Sequence, residues 1–237
     1  MIKLDDISLC EISFASYVYT HISDYDVSYN KFQEETQKNI DLENPEHRKL
    51  LLEWLNSWGC RQFAVKYHYF ASENILKWYR QYSKDFIPKS KKLLDINSND
   101  FDKIQRLFDS ISSTIASLRN DETPVKFGPT GAAKLLFALY PNSLPPWDDS
   151  IRDKLEFGDT GKSYCNYVGN IKILQQNLVK ECERFGFSTQ EFFNKIGKPN
   201  TTWMKLIDEY YWMKYTRGIE APNQEIIEIW FRLCKKK

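Results

Sequence analysis

Apolar residues recur at helical spacing in one segment after another, which restricts the chain to a mainly α-helical fold. Leu50, Leu51, Trp54, Leu55 and Trp58 share one helix face. Phe101, Ile104, Leu107, Phe108, Ile111, Ile115 and Leu118 mark a longer helix, opened by the capping residues of Asn97–Asp100. Shorter stripes follow at Ala132, Leu135, Leu136 and Leu139, and at Ile171, Leu174, Leu178 and Phe185 before Gly186. Trp203, Leu206, Ile207 and Tyr210 come after Thr201-Thr202, and Ile226, Ile227, Trp230 and Leu233 end the series. Phe63, Val65, Tyr67 and Tyr69 alternate as in a strand, but one short alternation does not build a sheet. The fold class expected is all-α.

Nothing in the sequence reaches the run of about 18 apolar residues that a membrane span needs. Asp5 and Asp6 stand where a signal peptide would carry its apolar stretch, so a cytoplasmic location is expected. Cys10, Cys60, Cys165, Cys182 and Cys234 form no close pair, which suits buried, reduced thiols better than a metal site. His21, His47 and His68 have no spacing that suggests a metal or a triad. No metal and no cofactor are expected. Net charge is +1, yet residues 1–60 hold five Lys/Arg against eleven Asp/Glu, −6, leaving +7 for the remainder. A basic body of this kind suits a nucleic-acid partner met on a local face, and no obligate protein partner is evident.

Polar breaks at 95–100 and 120–126 separate a central pair of helices from the parts before and after it. The organisation expected is one two-lobed module over 1–237, with residues 90–145 as the central helices and 1–89 and 146–237 as the other lobe. Three prolines stiffen the loop Tyr140–Trp147 (YPNSLPPW), which ends in Trp147-Asp148-Asp149.

The stretch Phe127–Leu155 carries the chemistry. Gly128-Pro129 reads as a helix start, with proline where its missing N–H costs nothing. Amides of Thr130, Gly131 and Ala132 at such an end form a natural phosphate site, though small residues there also serve a tightly packed helix pair. This stretch resembles the helix-hairpin-helix DNA glycosylases. Thr130-Gly131-Ala132-Ala133 is similar to the start of their second hairpin helix, and Trp147-Asp148-Asp149-Ser150-Ile151 to their apolar–Asp–x–x–Ile element, with 18 residues from Thr130 to Asp148. The resemblance covers about 30 residues. The preceding Val125-Lys126-Phe127 lacks the family's Gly–apolar–Gly, and Pro129 stands where bifunctional members carry a Schiff-base lysine.

What the resemblance implies is a two-lobed helical bundle of the glycosylase type and a monofunctional enzyme. Asp148 would be its catalytic carboxylate and Asp149 the cap of the following helix. A carboxylate beside C1′ stabilises the positive charge that develops on the sugar as the base departs, and can orient water. Trp147 and Tyr140 would stack on an extruded base. Lys126, Gly128, Thr130, Gly131 and Lys134 would meet the DNA backbone. One branch of related proteins removes bulky modified cytosines from phage DNA, which makes antiviral defence an expected setting. Lys84, Lys89, Lys91 and Lys92, with Lys154, Lys162 and Lys172, are either further phosphate contacts or a solvated face. Two other readings stand: a non-catalytic nucleic-acid binder with a degenerate hairpin, and a helical protein-interaction domain.

Overall fold

The computed structural model describes residues 6–234, with side chains through Arg232. Asp5 and the side chains of Leu233 and Cys234, all invoked above, lie outside the described residues. The chain is mostly helical, and it divides into two units: residues 1–23, 147–157 and 166–237, and residues 24–146 with 158–165. Residues 24–89 thus group with the central helices, where the sequence placed them with the termini. The first unit holds α1 (Leu9–Ile22), and the second opens with α2 (Tyr25–Glu35) and α3 (Pro45–Ser57).

The second unit continues through α4 (His68–Gln81) and α5 (Ser98–Ser113). Asn97 caps α5 in a reciprocal box with Asp100, as its sequence suggests. Burial disfavours charge on Asp100, but Lys91 and the Asn97 amide hold its carboxyl below the usual carboxylate range. The helical spacing from Phe101 continues to Leu118, but the helix does not. The helix stops at Ser113, and β1 (Ile115–Leu118) pairs antiparallel with β2 (Pro124–Lys126). The strand-like alternation of 63–69 belongs instead to a 3₁₀ turn, Val65–Tyr67, leading into α4.

Beyond the ribbon comes α6 (Gly128–Leu139), which packs on α3 and α5. Trp54 of α3 and Trp58, which caps its C-terminal end, meet Tyr29, Phe32 and Phe137, with the Phe32 and Trp54 rings stacked 5.0 Å apart. Trp54, Trp58 and Trp78 are all buried, so their rings are core. Two helices follow the proline-rich loop: the short α7 (Asp149–Lys154) in the first unit, and α8 (Gly161–Arg184), whose residues through Cys165 group with the second.

At the start of α8 the packing leaves no room for a side chain. A methyl group on Gly161 would lie 2.5 Å from the Gln105 carbonyl oxygen and 2.8 Å from Asp109 Oδ2. The Gly161 amide already donates to Asp109 Oδ1 at 2.5 Å, which fixes this approach. Gly161→Ala is expected to destabilise the protein by about 3 kcal/mol. At roughly 2–4 °C per kcal/mol, calorimetry should register a Tm about 6–12 °C lower.

The first unit is completed by α9 (Thr189–Lys195), α10 (Trp203–Tyr211), a π-helical turn at Trp212–Thr216, and α11 (Gln224–Cys234). α1 packs against α10 and α11, and α7 packs against the π turn. Cys10, Cys60, Cys165 and Cys182 are buried thiols, and burial pushes Cys165 and Cys182 up to about 12. No described helix is long and apolar enough to cross a membrane.

Candidate functional site

Asp148 is built into the first unit from two directions. It is the N-cap of α7, with extended backbone (φ −110°, ψ 178°), and its Oδ1 accepts the Ile151 amide at 2.8 Å. Thr216, the last residue of the π turn, donates its hydroxyl to Asp148 Oδ2 at 2.7 Å. Each carboxylate oxygen carries two lone pairs, so these two bonds leave acceptor capacity on both. The side chain is half-buried, neither sealed in the core nor free in solvent. Turns of the π type occur often at functional sites, because they re-aim a side chain out of helical register.

The cap assignment made from sequence is reversed. Asp148 caps α7, while Asp149 is exposed and pairs with Arg152 at 3.0 Å. Register explains the exchange: with Asp148 as the cap, the third helical residue is Ile151, whose amide points back at it. Thr216 lies 68 residues away in sequence and sits on no motif, so nothing short of the fold could have found it.

Trp147 and Tyr140 are placed differently from expectation. Their relative exposures are 0% and 1%, so neither ring offers a face on which an extruded base could stack. Trp147 packs near Phe157 and Tyr167, with ring centroids 6.2 and 5.2 Å away. Burial pushes the Tyr140 phenol above its ordinary range, and the Tyr140 carbonyl accepts the amides of Ser143 and Leu144, both at 2.9 Å. The loop is braced from within the second unit as well. Leu93 donates to the Asn142 carbonyl at 3.1 Å, the Ser143 hydroxyl to the Lys91 carbonyl, and the Tyr164 hydroxyl to the Pro145 carbonyl at 2.9 Å. Proline stiffness and these anchors together hold the chain up to Pro146, one residue before the first unit resumes.

The start of α6 divides the five residues assigned to DNA contact. Lys126 is exposed on β2, and Gly128, at φ +66°, and Thr130 are half-exposed. A left-handed φ of this kind favours glycine at 128. Gly131 and Lys134 are buried. A methyl group on Gly131 would meet Gln62 Nε2 at 2.8 Å, so its smallness serves internal packing, and Gln62 in turn donates to the Phe127 carbonyl at 2.6 Å. Lys134 donates to the Trp58 carbonyl at 2.6 Å and lies 5.7 Å from the Trp58 ring centroid.

Among the other lysines, Lys91 is half-buried and bound to Asp100 at 2.5 Å, Lys89 is exposed with its amine held by Asn39 and the Ile40 carbonyl, and Lys84 and Lys92 are exposed. Lys154 and Lys162 are exposed. Among the described residues, no group of three or more His, Cys, Asp or Glu could hold a metal ion. Compared with known proteins, the chain matches no family model, no curated protein and no solved structure.

Proposed function

We propose that the protein is a monofunctional DNA glycosylase in which Asp148 acts on the sugar of the target nucleotide. The observation that carries the reading is a half-buried carboxylate fixed at both oxygens, by the Ile151 amide and the Thr216 hydroxyl, with lone pairs to spare. Fixed charge is what such a step requires. As the N-glycosidic bond lengthens, C1′ and the ring oxygen become cationic, and a carboxylate already oriented needs no reorganisation to stabilise them. The same group can hold a water for addition to C1′ after the base has left. Pro129 in place of a lysine gives no amine for a Schiff base at that position, in keeping with hydrolysis alone. Lys126, Gly128 and Thr130 are the residues of the hairpin region with surface left to meet phosphate. A damaged base or a bulky modified cytosine of the kind found in phage DNA is the substrate class, with antiviral defence as the setting and the cytoplasm as its place.

The test is to treat plain, deaminated, alkylated and hypermodified DNA with the protein and then with hot alkali. Strand breaks at abasic sites in one of the modified DNAs support the reading; intact strands throughout remove it. Thr216 is a positioning residue here. Thr216→Val is expected to slow base release about tenfold, the worth of one hydrogen bond. Thr216→Ser, which keeps the hydroxyl, should restore the rate, whereas a purely structural residue would show no such rescue.

A second reading is favoured by one observation: both Asp148 oxygens already have partners, as a structural cap would. On that reading the protein binds nucleic acid without cutting it. Salt-dependent DNA binding with no abasic sites on any substrate is the result expected of it.

A further inference from the structure

Within the first unit, α1, the end of α9 and α11 surround a cavity of about 190 Å³ that the Asp148 reading does not use. Its accessible lining is mostly carbon. Tyr17 and Trp230 meet edge to face, with ring centroids 6.0 Å apart and planes at 65°, and so form one closed wall. Phe231 and Ile196 add to the apolar surface. The polar groups between them are already occupied or out of reach. Ser13 and Thr20 donate to the Leu9 and Ser16 carbonyls at 2.8 and 3.0 Å, and the Ser16 hydroxyl oxygen is buried away from the cavity. His21 Nδ1 lies 2.7 Å from the Tyr17 carbonyl. Tyr17 is 53% exposed, so this apolar hollow opens to water, and a ligand that brings carbon into it removes that contact.

Lys195 brings a cation to the exposed rim. Its amine lies 5.0 Å from the Phe187 ring centroid and forms no salt bridge among the described residues. Glu191, one turn back on α9, feels that charge but is bonded to the Ser188 amide and hydroxyl at 2.7 and 2.8 Å. Among the described residues, no Asp or Glu lines the cavity. The site therefore asks for an apolar body with a single negative end. A hydrocarbon would leave the cation unused, and a small anion would leave the apolar walls wet.

We infer that this cavity binds a medium-chain carboxylic acid, its alkyl chain against Trp230, Phe231 and Ile196 and its carboxylate toward Lys195. Benzene fits a cavity of about 150 Å³, so the larger one here takes a chain of about six to eight carbons. Calorimetric titration of the full chain with acetate, hexanoate, octanoate and octanol tests this. Octanoate is expected to bind with a Kd on the order of 100 µM, roughly tenfold tighter than hexanoate, and acetate not at all. Octanol should bind the parent about tenfold more weakly than octanoate does, and Lys195→Met should weaken octanoate by the same factor. Lys195 is exposed, so that variant removes the charge from a folded protein. Ile196→Asp, which puts a like charge in the cavity, should abolish octanoate binding. None of this depends on Asp148, so the titrations stand or fall whatever the protein does to DNA. The inference is overturned if no acid binds, or if acetate or octanol binds as well as octanoate. It is overturned equally if Lys195→Met or Ile196→Asp binds octanoate like the parent.

Discussion

Asp148→Asn is expected to reduce base release about 10²–10³-fold while the protein unfolds at nearly the parent temperature. The two effects separate because asparagine keeps the shape and loses the charge. Its side-chain oxygen can accept the Ile151 amide as Asp148 Oδ1 does, and asparagine is as good an N-cap as aspartate. Its amide can donate to the Thr216 hydroxyl, reversing the present bond. Only the anion is gone, and with it the stabilisation of a cationic sugar. Asp148→Ala removes the cap as well and should cost about 1 kcal/mol of stability beyond the loss of activity. Parallel thermal melts and rate measurements on the two variants give the split. Were Asp148 a structural cap only, the asparagine variant would resemble the parent in both measurements.

The largest stability change is expected at Glu209. This carboxylate on α10 is fully buried, and its Oε1 accepts from Lys198 at 2.8 Å and Lys205 at 2.7 Å. Lys205 is itself 2% exposed and lies 3.9 Å from the Tyr19 ring centroid. Removing the anion takes away the carboxylate that two lysines share, one of them buried, and breaking a buried ion pair on one side commonly costs far more than the intact pair contributes. Glu209→Ala should therefore destabilise by about 3–4 kcal/mol, lowering Tm by on the order of 10 °C. Glu209→Gln, which keeps an acceptor, should lose less, and Lys198→Ala less again because Lys198 lies nearer the surface. A Glu209→Ala protein within about 1 kcal/mol of the parent would show that the charges are compensated by other groups.

Much of the helical architecture was legible because long amphipathic segments bury one face, and that burial writes a 3.6-residue period into the sequence. The α5 cap at Asn97 was legible for a similar local reason. Its end was not: Ile115 and Leu118 continue the helical spacing by chance, while the Phe127 amide bonds the Thr114 carbonyl at 2.9 Å and draws the chain into the ribbon. At the candidate site, the choice between two adjacent aspartates turns on one residue of register, which composition does not contain. Lys134 did carry a readable mark. A lysine set within Ala-Ala-Lys-Leu-Leu-Phe has no polar face to occupy, and it is buried against Trp58. The burial of Trp147 and Tyr140 was not legible, because a ring flanking a proline-rich loop can face either core or solvent and the packing around it decides.

The claim on which the rest depends is that the carboxylate at 148 detaches a base from DNA. Quantifying free base by mass spectrometry after incubation with hypermodified DNA, for the parent and Asp148→Asn side by side, tests it most directly. Released modified base from the parent, with little or none from the variant, is the expected result. Equal release by both proteins, or none from the parent on any modified or damaged DNA, contradicts it.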